Sequence, residues 1–231
     1  QGGNAFGAVA SLGTTDNQPV EIIVNNTRAF RVESDALSPN VVLGSSVNVV
    51  TAGAGGGAIG GGGAPSNTIL AEGNVSYSCP LGCANQVTDR GGTVGGGFGN
   101  SAGDFAGSAI DRLAPTVGGG LGNRASGEFG TVAGGFRNRA SGGTGVVAGG
   151  RFNEANGINS AVGGGQFNVA EGENSAVGGG DNNIAIGTAS VVPGGFSNRT
   201  DGNFSFAAGR LARALHEGAF VWGDSVLQYF D

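Results

Sequence analysis

The chain has 231 residues, of which 51 are glycine and none is methionine, and its formal net charge is -6. An acidic chain without a basic stripe cannot neutralise phosphates, which argues against a nucleic acid as partner. No apolar run approaches the roughly 18 residues of a membrane span, so we expect no membrane insertion by this chain.

Residues 1–57 form a predicted N-terminal region that consists of an arm and a β-hairpin. Two β-prone runs, 20–24 and 27–33, flank the dipeptide Asn25-Asn26. Asparagine tolerates the positive φ of a tight turn, so this pattern predicts a hairpin. A repeat fold needs its open end covered, because unpaired strand edges invite further pairing. The hairpin is therefore predicted to be a cap.

Residues 58–115 are predicted to hold irregular coils with insertions. A coil-like unit at Ala58 is followed by a 20-residue insertion, and one at Thr93 by an 8-residue insertion. The Gly/Ala-rich stretch 51–66 fits either early coils or a linker. The first insertion contains Cys79 and Cys83 around a Pro/Gly turn, which favours a disulfide over zinc because no histidine is nearby. A disulfide implies an oxidising, extracytoplasmic setting, with exposed reduced thiols as the alternative.

Residues 116–231 carry a 15-residue repeat. Each unit opens with a small or β-branched residue followed by valine and a glycine pair, and the pattern predicts a start at every fifteenth residue from Thr116 to Val221. A unit this short cannot build its own core and must stack on its neighbours, which predicts an all-β parallel solenoid. Several glycines in each unit exclude helix and mark corners.

Three columns of identical side chains follow from stacking the units. Valines such as Val132 and alanines such as Ala140 are predicted to fill a narrow interior. Asparagines such as Asn138 are predicted to form a buried polar ladder that bonds amide to amide or satisfies backbone groups at the corner.

The repeat text resembles a known family. Asn123 to Gly127, Asn138 to Gly142, Ser205 to Gly209 and the closing stretch Gly218 to Ser225 are similar to the head repeats of trimeric autotransporter adhesins of the Yersinia adhesin type. The resemblance implies that three chains each form a left-handed parallel β-roll and associate about a three-fold axis. It implies a non-catalytic, adhesive role at the cell surface or outside the cell, with host surface, matrix or glycan as receptor.

The N-terminus carries a second, weaker resemblance. The segment from Leu12 to Arg31 is similar to segments of tail-fibre-like proteins. This similarity implies the alternative function, which is the shaft or receptor-binding part of a phage-type tail fibre.

Large apolar side chains after the glycine pair support a homotrimer independently. One unit offers little more than one valine and one alanine to its own interior, so additional burial is expected between chains. A stripe of this kind on a monomer would favour aggregation, and aromatic binding of sugars is the rival interpretation. The predicted interchain stripe consists of Phe98, Leu121, Phe136, Phe152, Phe167 and Phe196.

Both ends of the chain are apolar, which predicts end-to-end assembly. The N-terminal arm and the C-terminal strand lack internal charge and flank a solenoid with open edges, so one subunit can add a strand to the next. The alternative is that both segments fold back as caps on their own trimer. The residues concerned are Phe6, Val9 and Leu12 in the arm and Val226, Leu227, Tyr229 and Phe230 in the strand.

Catalysis and cofactors find no support in the sequence. The chain has one histidine and no lysine, and its glycine loops precede no helix that would bind phosphate. Asparagine stands where calcium-binding solenoids place aspartate, so no metal is expected.

We expect that a signal peptide is removed before Gln1, although Gln1 also fits an artificial boundary. Four Asn-x-Ser/Thr triplets mark candidate glycosylation sites on an exported protein, at Asn25, Asn74, Asn198 and Asn203.

Overall fold

The computed structural model describes residues 12–65, 68–72, 75–79, 83–106 and 108–224, and gives the backbone alone for 68–72 and 75–79. The chain forms an all-β parallel solenoid of about 11 coils, preceded by antiparallel strands, which confirms the predicted fold class. The described part contains no helix with the length and hydropathy of a membrane span.

Each regular coil contributes one short strand to each of two sheets. The strands of the first sheet are β1 (Val20–Val24), β2 (Thr27–Glu33), β3 (Asn40–Leu43), β5 (Ala58–Ile59), β9 (Thr93–Val94), β11 (Thr116–Val117), β13 (Thr131–Val132), β15 (Val146–Val147), β17 (Ala161–Val162), β19 (Ala176–Val177), β21 (Val191–Val192), β22 (Gly195–Phe196), β24 (Phe206–Arg210) and β26 (Phe220–Gly223).

The second sheet lies on the other side of the interior and pairs in the same parallel register. Its strands are β4 (Val49–Val50), β8 (Gln86–Val87), β10 (Ser101–Ala102), β12 (Arg124–Ala125), β14 (Arg139–Ala140), β16 (Glu154–Ala155), β18 (Val169–Ala170), β20 (Ile184–Ala185), β23 (Arg199–Thr200) and β25 (Arg213–Ala214). A separate hairpin pairs β6 (Thr68–Glu72) with β7 (Val75–Cys79).

Two apolar columns fill the interior. Val132, Val147 and their equivalents in the first sheet are fully buried, and Ala140, Ala155 and their equivalents face them from the second sheet. Strands of two residues expose one side chain and bury the other, since successive side chains point to opposite faces. The interior is therefore one valine and one alanine wide in the regular coils, as the repeat predicts, except that Thr200 takes the alanine position in the coil from Val191.

A buried asparagine ladder holds successive coils together. The amide nitrogen of Asn153 donates to the carbonyl oxygen of Gly149 in its own coil and to that of Gly165 in the next, both at 2.9 Å. Its Oδ1 accepts the backbone N–H of Asn168 at 3.0 Å. Because buried polar groups need partners, each asparagine completes the corner of two coils. The ladder comprises Asn48, Asn85, Asn100, Asn123, Asn138, Asn153, Asn168, Asn183 and Asn198.

Insertions leave this register unchanged. Ile59 pairs with Val94 across the first insertion, and Val94 pairs with Val117 across the second. The parallel ladders also reach back before residue 58, since Val42 pairs with Ile59 and Val50 with Val87. Residues 51–65 are thus part of early coils rather than a linker, while the division into three segments stays a prediction.

The last coil is shorter than the repeat predicts. Val191 pairs with Phe206, which keeps the 15-residue spacing, but Phe206 then pairs with Phe220 and Thr200 with Ala214. The expected unit start at Val221 is therefore wrong by one residue. The coil from Phe206 lacks one residue at the glycine corner, and β24 continues through that corner as a five-residue strand.

The N-terminal hairpin forms where the sequence predicts it. Strands β1 and β2 pair antiparallel through a turn in which Asn25 and Asn26 have φ values of 48° and 57°. Two positive φ values match the hairpin turn whose twist suits antiparallel strands. Strand β2 then pairs with β3, which also starts the parallel ladder, so the hairpin extends the first sheet at its N-terminal edge.

Candidate interaction surface

The two outer faces of the solenoid differ in charge. On the second sheet, outward positions carry arginine, glutamate and aspartate, such as Arg139 and Glu154, which pair in neighbouring strands. On the first sheet, the outward residues on both sides of each buried valine are uncharged from Thr93 to Pro193, and so is Phe206 in the following coil. They are Thr93, Gly95, Thr116, Gly118, Thr131, Ala133, Val146, Ala148, Ala161, Gly163, Ala176, Gly178, Val191 and Pro193.

A column of open glycines continues this uncharged face to the corner. A Cβ atom built on Gly134 or Gly149 meets nothing within 4 Å, and neither residue has a positive φ. Neither local crowding nor backbone geometry within the chain therefore requires glycine at these two positions. Glycine also allows another backbone to approach closely.

The six residues of the predicted stripe occupy two neighbouring columns at this corner. Phe98, Leu121, Phe136 and Phe196 belong to the first column, which the coils connect by single β-bridges. Phe152 and Phe167 belong to the next column, where their φ values are 55° and 54°. This left-handed backbone conformation places both side chains at the corner.

Aromatic contacts join the middle of the stripe. The rings of Phe136 and Phe152 meet edge to face at 5.1 Å between centroids, and those of Phe152 and Phe167 are stacked at 5.1 Å. The guanidinium of Arg137 lies 5.2 Å from the centroid of Phe136. Phe167 and Phe196 each remain 45% exposed. The stripe is thus ordered within the chain but covered on one side only.

Polar residues interrupt the first column of the stripe between Phe136 and Phe196. Arg151 Nε donates to Gln166 Oε1, and Gln166 Nε2 donates to Asp181 Oδ2, both at 2.7 Å. Phe136, Arg151 and Gln166 border an open depression of about 520 Å³ whose floor is the glycine column at Gly150. The surface therefore combines aromatic rings, a hydrogen-bonding row and a flat glycine floor.

The predicted assembly residues at the chain ends fall mostly outside the described residues. Leu12 is 93% exposed. Phe6 and Val9 of the arm, and Val226, Leu227, Tyr229 and Phe230 of the C-terminal strand, lie outside them.

The candidate glycosylation sites have different surroundings. Asn25 lies in the exposed hairpin turn and Asn203 on the exposed opposite corner, whereas Asn74 lies outside the described residues. Asn198 is fully buried, and its amide nitrogen donates to the carbonyl oxygens of Gly194 and Gly209. The expectation of a glycan at Asn198 is incompatible with this position, because the acceptor nitrogen is enclosed between two coils. The other three sites stay predictions.

The cysteine pair lies at the base of the β6–β7 hairpin. Cys79 ends β7, and Cys83 forms an antiparallel bridge with Ala64. No cysteine among the described residues is free. The side chain of Cys79 lies outside those residues, so its bond to Cys83 stays a prediction.

Comparison with known families identifies one segment. Residues 130–142 match the ubiquitous surface protein adhesin repeat. The matched segment runs from the residue before β13 to the second residue after β14, including the open glycine Gly134 and the ladder residue Asn138. It agrees with the resemblance to trimeric autotransporter adhesins. No curated protein matches the chain.

Sequence reasoning missed two parts of this architecture. Asn48 and Asn85 extend the asparagine ladder into the first coils, and each precedes an inward valine by two residues, as Asn138 precedes Ala140. That spacing would have identified both. The uncharged face was not predicted either, although it follows from the alternation of outward and inward residues around each buried valine.

Proposed function

We propose that this protein is a non-catalytic structural subunit of an extracellular adhesive surface fibre, and that it acts as a homotrimer. The observation that carries this proposal is the uncharged face of the first sheet with its column of open glycines. Surfaces of this kind mark sites of protein association. The match to an adhesin repeat supports the adhesive role and a location at the cell surface.

The partner that fits this face is a second copy of the chain. The face repeats once per coil, at about 4.8 Å along the axis, over every coil from Thr93 to Phe206. A partner that contacts all of these levels needs the same spacing, and another solenoid with this sequence has it. Three copies, rather than two, follow from the resemblance to trimeric adhesins.

Open glycines such as Gly134 and Gly149 fit contact between chains. Their hydrogen atoms leave space for a neighbouring backbone, while the large side chains of the adjacent stripe supply apolar area to bury. Phe152 and Phe167 lie at the same corner as these open glycines, so both features can contribute to one interface.

Substitution of an open glycine tests the trimer. Gly149→Leu places a large side chain on the proposed interface, and Gly143→Leu is a matched control, because Gly143 is equally open but lies at the opposite corner. We expect light scattering to give three times the chain mass of 22.3 kDa for the wild type and the control, and the single mass for Gly149→Leu.

Two outcomes would contradict the proposal. A monomeric wild type at all concentrations would exclude the trimer, and a trimeric Gly149→Leu would place the interface elsewhere. Binding of glycans by a monomeric wild type, lost in Gly149→Leu, would support the rival interpretation of the stripe.

We propose further that trimers join end to end. Strand β26 is the last described strand of the first sheet, and Phe220 and Trp222 on it are 71% and 65% exposed. An apolar arm that adds a strand at this edge would cover them. Deletion of residues 1–12 should shorten or abolish filaments in electron micrographs, and filaments of native length would show that the arm is only a cap.

A further inference from the structure

Three aspartates meet at the second insertion. Asp89 follows β8, Asp104 follows β10, and Asp111 lies in the insertion itself. One carboxylate oxygen of each lies within 4.8 Å of the others. No other group of three or more acidic, histidine or cysteine side chains with this spacing occurs in the described part of the chain.

Asp89 takes the place of a glycine in the repeat. In regular coils this position is glycine, because a Cβ on Gly142 would lie 1.9 Å from the carbonyl oxygen of Gly157 in the next coil. In the next coil, Gly103 leaves room for the carboxylate, because a Cβ on Gly103 would collide with Asp89 Oδ2. The aspartate therefore depends on this glycine, at the start of the second insertion, for its space.

The carboxylate of Asp89 is buried and only half satisfied. Its Oδ2 accepts the backbone N–H of Asp104 at 2.9 Å and the hydroxyl of Thr88 at 3.1 Å. Its Oδ1 has no hydrogen-bond partner, and the residue is 1% exposed. A buried oxygen of this kind has a high desolvation cost, so it calls for a ligand or a proton.

The neighbours of Asp89 add negative charge rather than compensate it. Burial raises the pKa of Asp89, and the nearby carboxylate of Asp104 raises it further, as does the Asp111 carboxyl within hydrogen-bonding reach. Two carboxylates at this distance need either a shared proton or a cation between them.

Arg112 and Arg124 contact Asp104 rather than the carboxylates of Asp89 or Asp111. Arg112 Nε lies 3.4 Å from Asp104 Oδ2, which makes it the ion-pair partner of that residue alone. Arg124 donates to the backbone oxygen of Asp104 and stacks over Phe105, and burial lowers its pKa, with a smaller contribution from Arg139. No salt bridge to Asp89 or Asp111 is found among the described residues.

We propose that Asp89, Asp104 and Asp111 bind a calcium ion that fastens the insertion to the solenoid. The donors are all oxygen, which suits hard cations. Calcium binds oxygen at about 2.3–2.6 Å, so ligands on opposite sides of the ion are about 4.8 Å apart. The open side at Asp111 leaves room for water ligands. The site is independent of the proposed trimer, so either proposal can fail alone.

Calcium titration of the full-length chain, after removal of metals with a chelator, tests the site. We expect calorimetry to give a dissociation constant on the order of 10⁻⁴–10⁻³ M, the range of extracellular calcium modules. Asp111→Asn should weaken binding at least about tenfold, because it removes one charged ligand from an exposed position. Asp201→Asn is the matched control, since Asp201 pairs with Arg199 far along the solenoid, and it should bind like the wild type.

A second variant distinguishes loss of the calcium site from misfolding of the chain. Asp89→Asn should also lose calcium binding while the strand signal in circular dichroism is kept. Absence of binding to the wild type would overturn the proposal and leave a shared proton between Asp89 and Asp111. Unchanged affinity in Asp111→Asn, or binding of magnesium as tightly as calcium, would overturn it as well.

Discussion

The regular coils from Thr116 to Ser205 and the interrupted coils from Asn40 to Pro115 share one interior and differ at their corners. Both have the buried column that contains Val94 and Val132, and both have the asparagine ladder. Only the interrupted coils contain long insertions. The comparison teaches that inward side chains and ladder bonds set the register, while loop length has little influence, since the entropy of loop closure grows slowly with length.

The largest expected effect tests whether the ladder is equally important in both regions. Asn153→Ala leaves the carbonyls of Gly149 and Gly165 and the N–H of Asn168 without their partner. Three buried polar groups are affected, so we expect a loss of about 4 kcal/mol in the free energy of unfolding. Urea denaturation followed by circular dichroism measures it.

Asn85→Ala is the counterpart in the interrupted coils. Asn85 donates to the carbonyls of Gly61 and Gly97 and accepts from the N–H of Asn100, which is the same set of bonds. We expect an equal loss. A much smaller loss for Asn85→Ala would show that the interrupted coils do not depend on the ladder.

A smaller effect separates two adjacent glycines in a regular coil. Gly142→Ala places a Cβ against the next coil, whereas a Cβ on Gly143 meets nothing within 4 Å. We expect Gly142→Ala to lower the free energy of unfolding by about 3 kcal/mol, the upper end for overpacking. Gly143→Ala should change it by no more than about 0.5 kcal/mol. Equal effects would contradict the stacking geometry.

Removal of the second insertion should cost less. Replacing residues 103–112 by Ser-Gly, together with Asp89→Gly, converts the interrupted coil into a regular one. Ala114 already has the φ value of 47° that Phe129 shows, near 54°, at the same corner. We expect a stability change within about 1 kcal/mol, because the core columns are unchanged. Loss of the cooperative unfolding transition would mean that the insertion supports the fold.

The smallest effect concerns the first insertion. If Cys79 and Cys83 are bonded, reduction should raise the intact mass by two hydrogens per chain, with no change in the circular dichroism of the solenoid, because the hairpin β6–β7 forms a sheet of its own. An unchanged mass would refute the disulfide. Unfolding of the coils on reduction would instead show that the hairpin contributes to the stability of the solenoid.

The sequence predicts the features of the fold that repeat from coil to coil. It does not predict features that depend on the course of an insertion. The period places Val132 and Ala140 in the interior, and the Asn25-Asn26 dipeptide locates the hairpin turn. The aspartate cluster was not predictable, because the position of Asp111 depends on the course of the insertion. The shortened last coil was not predicted. The loss of one residue of the glycine corner beside Ala208 looks, in the sequence alone, like the substitution of a glycine.

One error was avoidable from the sequence. Asn198 was predicted both as a member of the buried ladder and as a glycan acceptor, and these two roles exclude each other. The triplet motif reports only three residues, whereas the ladder reports the position within a coil. The ladder is the stronger predictor, because burial follows from stacking.

The asparagine ladder also works as punctuation. Besides one bond within its own coil, each asparagine directs its bonds to the coil that follows it, so it is fully satisfied only when another coil comes next. In the last described coil the equivalent residue is Ala212, which gives its N–H to Asn198 Oδ1 and has no side-chain amide to satisfy. Among the described coils, the ladder therefore ends at Asn198 without leaving a buried amide unpaired.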